Sequence, residues 1–433
     1  MKTVASHALG CKVNQYESEA IAELFEQKGY TIVDMEQPAD VYIINTCTVT
    51  NFGDKKSRQL IRKVKRQNPD SIVVVAGCYA QTAPNEIMSI DGVNIVVGTR
   101  DRKQILNLVE NYKKEQQAQN YVSEIMNERE FEDLSIRKLE NRTRAYLKIQ
   151  DGCSQFCSYC IIPYARGPIR SRKPEDVLSE VIRLSQNGFQ EVILAGIHVA
   201  SYGKDLKNIT LLEMVKKVHD IKGIKRIRFS SIEPNIVTKE FVETLSKLPK
   251  VCDHFHLSLQ SGCDKTLYAM NRKYNTEKYR QAVNILRKYM PSVAITTDMI
   301  VGFPNETEED FLNSYQFAKE MAFSKIHVFP YSPKRGTPAA KMSGQIPNYI
   351  KNERSQKLIA LSQQMTELFL NQFVGKEMEV LYERKIEQDI YEGHTTNYIK
   401  VHTQSNQNIT NKIIKTSIIG QKGEFAQGIV TKL

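Results

Sequence analysis

Three cysteines lie within one short segment, DGCSQFCSYC, at positions 153, 157 and 160 with the spacing C-x3-C-x2-C. An odd set of neighbouring thiols leaves one thiol over when disulfides form, so this spacing favours metal ligation. Three thiolates can hold three irons of a four-iron cluster and leave the fourth iron open to a small molecule. A structural zinc site or a chance grouping of cysteines is the alternative. We call Cys153, Cys157 and Cys160 the loop triplet.

A second set of cysteines is spread over the N-terminal region. Cys11 follows KTVASHALG, Cys47 follows VYIINT and Cys78 follows SIVVVAG, so each comes directly after a predicted buried strand. The carboxyl ends of parallel strands line one crevice of an open sheet, whereas a structural cysteine more often sits within a strand. The sequence therefore predicts a second set of three iron ligands, which we call the strand-end triplet.

Both triplets fall in regions where strand and helix patterns alternate. Residues 1–114 have the pattern of a doubly wound parallel sheet, and the polar residues 115–138 indicate a linker or a wrapping segment. Residues 139–370 contain six predicted strands with five intervening helices, which is typical of a partial or full β/α barrel. Residues 371–433 are β-patterned and indicate a small barrel, either a nucleic-acid platform or a structural cap.

The loop triplet directly follows the first strand of the predicted β/α barrel. The six predicted strands are AYLKIQD, EVILAG, RIRFSS, HFHLSLQ, AITTDMIVG and KIHVFPYS. Because the reactive groups of such barrels sit at the carboxyl ends of the strands, we expect the loop triplet at the barrel mouth. Tyr159, inside this loop, can stack on a bound base or pack within the loop.

Other residues with metal-binding chemistry have ordinary interpretations. Cys252 and Cys263 flank the strand HFHLSLQ and lack a partner at ligand spacing, so we interpret them as core or loop thiols. His198, His254 and His256 lie in or after predicted barrel strands, where packing or hydrogen bonding is more common than ligation. The predicted metal ligands are therefore the two triplets alone.

The bulk composition describes a globular protein with a basic surface. The chain has 433 residues, 41% hydrophobic and 25% charged, with net charge +11 and a pI near 9.0. We find no signal peptide and no membrane span, which predicts a cytoplasmic location where cysteines stay reduced. Basic residues concentrate in 53–66 and 137–173, beside the two triplets. Either stretch alone suits a solvated helix face, but together they favour a nucleic-acid partner.

Motifs along the whole chain resemble one known family. The pattern C-x3-C-x-aromatic-C is the hallmark of the radical S-adenosylmethionine (SAM) enzymes. Within that superfamily the chain resembles the methylthiotransferases through LGCKVNQYESE, YIINTCTVT, VVAGC, YLKIQDGCSQFCSYCIIPYARGPIRSR, HLSLQSGCDKTLYAMNRKY, TTDMIVGFPNETEEDF and FPYSPKRGTPAA. The C-terminal region is similar to the TRAM module of the family, a small RNA-associated β-barrel.

The resemblance implies two [4Fe-4S] clusters and SAM as cofactors. One cluster would be held by the loop triplet and would bind and cleave SAM with an electron from a flavodoxin-type or ferredoxin-type donor. The other, held by the strand-end triplet, would carry the sulfur that becomes the transferred methylthio group. Residues expected near SAM lie in the loop and at the barrel strand ends: Tyr159, Gly196, Ser258, Gln260, Gly302 and Tyr331.

The resemblance also implies a substrate. GCKVNQYESE, together with IQDGC and FCSYCIIPYARG, resembles the branch that modifies C2 of N6-threonylcarbamoyladenosine in the tRNA anticodon stem-loop. The alternatives are the branches that modify isopentenyl-adenosine in tRNA or an aspartate of a ribosomal protein. A non-catalytic iron–sulfur protein that binds RNA is an alternative of another class, although it would need neither a second open cluster nor a SAM barrel.

Overall fold

The computed structural model describes residues 2–113, 117–136 and 143–431. It confirms the predicted α/β architecture with a closed β-barrel at the C-terminal end. The ends of the predicted linker, at 115–116 and 137–138, and the first predicted barrel-domain residues, 139–142, lie outside the described residues. None of the described helices combines the length and the apolar character that crossing a membrane requires.

The N-terminal domain is a parallel sheet with helices on both faces. Its strands have the order β2-β1-β3-β4-β5-β6, and separate apolar cores lie on the two faces of the sheet. The strands are β1 (Thr3–Ala8), β2 (Thr31–Ile32), β3 (Val41–Thr46), β4 (Ile72–Gly77), β5 (Ile95–Val97) and β6 (Gln119–Tyr121). The helices are α1 (Lys12–Gln27), α2 (Asn51–Gln67), α3 (Cys78–Thr82), α4 (Pro84–Met88) and α5 (Ile105–Asn111).

The central domain is a partial β/α barrel. Strands β10-β9-β7-β8 form one sheet and β11-β12-β13 another, and parallel bridges from Ile227 to Val251 and from Ile232 to Leu257 connect them. The strands are β7 (Arg144–Asp151), β8 (Arg170–Ser171), β9 (Glu191–Gly196), β10 (Arg226–Phe229), β11 (His254–His256), β12 (Ala294–Val301) and β13 (Lys325–Pro330). In the described part of the chain, β13 pairs with β12 alone, so the barrel stays open at this edge.

Helices cover the outer face of the barrel strands. They are α7 (Pro174–Gln186), α8 (Leu211–Asp220), α9 (Lys239–Ser246), α10 (Asp264–Ala269), α11 (Thr276–Tyr289), α12 (Glu308–Met321) and α13 (Asn348–Asn371), whereas the short α6 (Ile162–Arg166) packs on α3 of the N-terminal domain. Phe255, Ile295, Met299 and Ile326 point toward these helices in the main core. Because side chains alternate along a strand, the residues between them face the concave inside of the barrel.

The C-terminal domain is a closed barrel with strand order β14-β15-β16-β18-β17. Its strands are β14 (Glu377–Glu387), β15 (Ile390–Thr395), β16 (Lys400–Gln404), β17 (Ile413–Lys422) and β18 (Phe425–Val430). It docks against the amino ends of the central strands, where Arg226 Nη1 donates to the His394 carbonyl at 2.9 Å. Full closure leaves this small domain without an exposed sheet edge.

Two segments differ from the sequence pattern. The stretch predicted to be a linker or wrapping segment contributes β6, which pairs with β5 and extends the N-terminal sheet. The predicted strand HFHLSLQ is regular only over His254–His256. Gln260 adopts a positive φ of 71°, a conformation that ends strand geometry although its backbone still pairs with β12.

Candidate functional site

The strand-end triplet lies at the carboxyl edge of three neighbouring strands. Cys11 immediately precedes α1, Cys47 follows β3 and Cys78 opens α3 directly after β4. Because β1, β3 and β4 are adjacent in the sheet, the three loops meet at one edge. Gly10 permits this approach: a Cβ there would lie 2.5 Å from Cys47 Sγ. The structure thus brings together cysteines that are far apart in sequence.

The charges of the strand-end triplet act on one another. Burial, followed by the charges of Cys78 and Cys11, raises the pKa of the Cys47 thiol to about 12. Burial also raises the pKa of the Cys78 thiol, while Arg166 opposes this shift. A cationic iron cluster at this site would offset both the burial and the mutual repulsion of Cys47 and Cys78, while the third thiol, Cys11, is exposed.

The loop triplet is held by backbone hydrogen bonds to the barrel mouth. The amide of Cys153 donates to the Gly167 carbonyl at 3.0 Å, and the amide of Cys160 donates to the Cys157 carbonyl at 3.0 Å. Between them, the Ser158 amide donates to the Met270 carbonyl at 3.0 Å. These bonds fix all three cysteines on one folded loop directly after β7.

The loop-triplet thiols have the same electrostatic character. Burial raises the pKa of Cys153 to about 11 and of Cys160 to about 12, and the neighbouring charge of Cys157 adds to both shifts. None of these cysteines forms a disulfide. The donor set and its burial therefore fit an iron–sulfur cluster at this triplet too.

Each triplet receives a hydrogen bond from one buried arginine that the sequence reasoning missed. Arg166 Nε lies 3.2 Å from Cys78 Sγ, and Arg272 Nη1 lies 3.2 Å from Cys157 Sγ. A guanidinium N–H beside a thiolate stabilises its negative charge. The sequence position of Arg166 could have indicated its role, because it lies six residues after the loop triplet, within the basic stretch 137–173.

Arg166 also ties the barrel to the N-terminal domain. Its Nη2 donates to Asn14 Oδ1 at 2.6 Å and to Glu17 Oε2 at 2.9 Å, and the arginine is fully buried. Glu17 further contacts Lys148 at 2.7 Å and Arg102 at 2.5 Å. Although burial opposes ionisation, Arg102, Arg166 and Lys148 hold the pKa of Glu17 well below its usual range. A buried ionic network therefore fixes the two triplets relative to each other.

Arg272 anchors a second network on the barrel side. Its Nη2 contacts Glu233 Oε1 at 2.8 Å and its Nε donates to the Tyr274 hydroxyl at 2.9 Å. The other Glu233 oxygen lies 3.0 Å from His198 Nε2, and Nδ1 of the same ring forms a hydrogen bond with Ser201 Oγ. Burial opposes ionisation of Glu233, but His198 and Arg272 lower its pKa overall. This network fixes the guanidinium against Cys157.

The six residues expected near SAM occupy two places. Tyr159 and Tyr331 pack in one small apolar cluster, and Tyr331 contacts Phe303 edge to face at 5.3 Å between ring centroids. Gly302 directly precedes Phe303 of that cluster in the chain. It has a φ of +69° and faces the Lys351 side chain of α13.

The remaining three follow the barrel strand ends. Gly196 ends β9 beside the Gln150 side chain. The Ser258 carbonyl accepts a hydrogen bond from the Tyr274 hydroxyl at 2.7 Å. The backbone amide of Gln260 donates to the Asp298 carbonyl at 2.8 Å. The contacts of all six residues with SAM stay a prediction.

A cleft of about 580 Å³ opens between the N-terminal domain and the barrel. Its lining includes Thr48, Tyr79 and Ile161, which are sequence neighbours of Cys47, Cys78 and Cys160 respectively. Lys334 and the exposed Arg335 line the barrel side. The cleft therefore reaches the surroundings of both triplets, and Arg335 is an exposed cation on its wall, whereas Lys334 is paired with Asp54.

The chain is similar to known proteins over nearly its whole length. Residues 147–318 match the Radical SAM superfamily, and residues 3–98 match the Uncharacterized protein family UPF0004. The chain is 48% identical to the threonylcarbamoyladenosine tRNA methylthiotransferase MtaB of Bacillus subtilis (strain 168), with 99% of this chain and 96% of that protein covered. It is 36% identical to the tRNA-2-methylthio-N(6)-dimethylallyladenosine synthase of Moorella thermoacetica, with 99% of each chain covered.

A solved structure shares the fold. The radical SAM methyltransferase TsrM of Kitasatospora setae, with cobalamin and a [4Fe-4S] cluster bound, superposes with a TM-score of 0.58 at 16% identity. The match covers 78% of this chain and 77% of that one. At this identity the similarity supports the fold alone.

Proposed function

Because the chain belongs to the methylthiotransferase family of radical SAM enzymes, we propose that it methylthiolates C2 of N6-threonylcarbamoyladenosine beside the tRNA anticodon. The chain is 48% identical to a relative named for that activity and 36% identical to a relative named for the dimethylallyl substrate. The similarity extends over essentially the whole chain in both cases, so the higher value favours the threonylcarbamoyl substrate.

We propose a division of labour between the two cysteine sets. Cys153, Cys157 and Cys160 would hold one [4Fe-4S] cluster, and Cys11, Cys47 and Cys78 would hold a second. When bound, the two clusters and SAM supply reductive cleavage of the SAM sulfonium and the sulfur that is transferred. C2–H of adenine is not acidic, so acid–base side chains alone cannot activate it.

One observation carries this proposal: the hydrogen bond from Arg166 Nε to Cys78 Sγ at 3.2 Å. Arg166 ends α6, which begins directly after the loop triplet, so the contact places the loop of one cysteine set against the other set. An enzyme that joins SAM cleavage to sulfur transfer needs both sites close to a single substrate atom.

Residues outside the two cysteine sets would bind and orient the RNA. The cleft between the domains, with Lys334 and Arg335 on its wall, would admit a nucleotide of the anticodon loop. The exposed basic residues of α2 and the C-terminal barrel, which we propose to be a TRAM domain, would contact the phosphates. A flavodoxin-type or ferredoxin-type protein would supply the electron.

Mass spectrometry of tRNA nucleosides tests the proposal. Cells that lack the gene should accumulate threonylcarbamoyladenosine and lose its 2-methylthio derivative, and the wild-type gene should restore it. Complementation with a Cys157→Ala variant should fail, because that variant lacks one predicted ligand of the loop triplet. Loss of the methylthio-isopentenyl nucleoside instead would assign the alternative tRNA substrate.

A further inference from the structure

The concave face of the barrel carries a deep layer of polar side chains that dock the C-terminal barrel. Arg228 Nη1 donates to the Thr396 carbonyl at 2.9 Å. The His254 ring stacks on Tyr398 with centroids 4.5 Å apart. Lys325 contacts Glu424 at 2.6 Å, which adds a third link to the same domain. Domain docking therefore accounts for this layer.

A second polar layer lies nearer the mouth and has no such explanation. It consists of His256, Asp298 and His327, on β11, β12 and β13. His256 follows His254 by two residues and His327 follows Lys325 by two, so they occupy the same concave face one step further along. Asp298 is directly paired with His327 in the sheet register. We call these three residues the lumen trio.

The atoms of the lumen trio converge on one point. One ring nitrogen or carboxylate oxygen from each residue lies within 4.8 Å of the other two. The rings of His256 and His327 have centroids 5.8 Å apart. The Asp298 side chain is 30% exposed and His327 is exposed, so the trio is accessible from the open edge at β13.

The lumen trio retains hydrogen-bonding capacity that the fold does not use. Thr296 Oγ1 lies 3.0 Å from His256 Nδ1, which orients the ring. His256 Nε2 lies 3.2 Å from Asp298 Oδ2 without hydrogen-bond geometry, and among the described residues it has no hydrogen-bond partner. Buried polar atoms without partners are costly, so a position of this kind suggests a ligand.

The geometry of adenine indicates which part of a substrate would reach the lumen trio. C2 and C6 flank N1 of the ring, so substituents on these carbons diverge. The loop triplet follows β7, whereas the trio lies on β11 to β13, across the barrel. With C2 directed toward the cysteines, the group on N6 leaves the ring at a wide angle to C2 and can extend toward the wall formed by β11 to β13.

We propose that His256, Asp298 and His327 bind the threonylcarbamoyl group on N6 of the target adenosine. This inference rests on the proposed function and names the residues that select its substrate. The threonylcarbamoyl group offers a ureido N–H and a hydroxyl to the Asp298 carboxylate, and carbonyl and carboxylate oxygens to imidazole N–H donors. An isopentenyl group offers neither and would leave the trio unsatisfied.

A divalent cation is the competing ligand for two imidazoles and a carboxylate. Ligand atoms on one first-row ion, with bonds of about 2.1 Å, lie about 3.4 Å apart in a tetrahedral site. His256 Nε2 and Asp298 Oδ2 lie 3.2 Å apart, within reach of one ion, so elemental analysis of the protein must separate a bound cation from a substrate group.

Anaerobic assays with synthetic anticodon stem-loops test the inference. The RNAs carry threonylcarbamoyladenosine, isopentenyladenosine or unmodified adenosine at the target position. His327→Leu should lower kcat/KM for the threonylcarbamoyl RNA by about tenfold or more, because a donor to a polar substrate group is lost. The rate with isopentenyl RNA should stay equal or rise, and SAM cleavage without RNA should stay equal. His219→Leu, the same substitution on the outer helix α8, should change none of these values.

Each other outcome overturns the inference. Equal decreases in kcat/KM on the two modified RNAs would show that His327 does not recognise the N6 group. Loss of SAM cleavage would place the trio in the SAM site. A divalent ion that elemental analysis finds in wild type and not in His327→Leu would make the trio a metal site. If wild type methylthiolates the isopentenyl RNA and not the threonylcarbamoyl RNA, the proposed function itself fails.

Discussion

Arg166 in the barrel and Cys78 in the N-terminal domain are joined by a 3.2 Å hydrogen bond from Nε to Sγ. The same guanidinium binds Glu17 and Asn14 of α1, so one side chain both links the domains and completes the surroundings of the strand-end triplet. A domain interface alone would not require an N–H directed at a cysteine sulfur. The contact therefore connects the stability of the interface to the chemistry of the site.

Arg166→Lys should uncouple SAM cleavage from methylthio transfer. Lysine keeps the positive charge but cannot bind Glu17, Asn14 and Cys78 together, because it lacks the planar fork of donors. We expect the ratio of methylthio product to 5′-deoxyadenosine to fall at least about tenfold, the effect of about 1.4 kcal/mol. Arg183→Lys on α7, whose Nη1 contacts Ser179 at 3.2 Å, is the matched control. An unchanged ratio in Arg166→Lys would refute a role at the sulfur site.

The ionic network around Glu17 should make stability depend on pH. The folded-state pKa of Glu17 is lowered, so its stabilising effect is present above the unfolded value, about 4.3, and is lost as the pH falls toward the folded value. Resistance to urea should therefore decrease on acidification below about pH 5.

Glu17→Gln supplies the comparison for that measurement. The variant should be destabilised at pH 7 by about 3 kcal/mol or more, since removing one partner leaves buried cations uncompensated. Its urea midpoint should change less than the wild-type midpoint between pH 7 and pH 4. Parallel curves for the two proteins would show that other carboxylates govern the acid response.

The basic face of α2 should determine the salt dependence of tRNA binding. Lys55, Lys56 and Arg62 are exposed on this helix, near Cys47. Replacing the three with Gln should weaken binding and reduce the slope of log K against log salt by about 0.7 to 0.9 per lost phosphate contact. The control replaces Lys216 on α8 and Lys247 directly after α9, both exposed and outside α2. An unchanged slope would exclude α2 from the RNA interface.

Much of this architecture could be predicted from the sequence because local patterns encode it. Apolar runs mark the buried strands, and Cys11, Cys47 and Cys78 each come directly after one, so their convergence follows from the parallel sheet. The roles of Arg166 and Arg272 could not be predicted. Their contacts with cysteine sulfur span 88 and 115 residues and depend on how the domains dock.

Other features depended on tertiary context as well. Gln119–Tyr121 is polar and lacks a strand pattern, yet pairing with β5 makes it a strand. Gln260 ends a run with strand propensity because its backbone turns to a positive φ. The lumen trio could not be predicted either, because His256 alone suggests packing. Only the register of β11 to β13 brings it near Asp298 and His327.

The central claim is that the strand-end triplet supplies the sulfur while the loop triplet cleaves SAM. The most direct test compares Cys47→Ala with wild type after anaerobic iron–sulfur reconstitution, with Cys263→Ala, a buried cysteine outside both triplets, as the control. We predict that Cys47→Ala binds about four irons instead of about eight, still converts SAM to 5′-deoxyadenosine, and forms no 2-methylthio nucleoside. Methylthio product from Cys47→Ala at the wild-type rate would contradict the account.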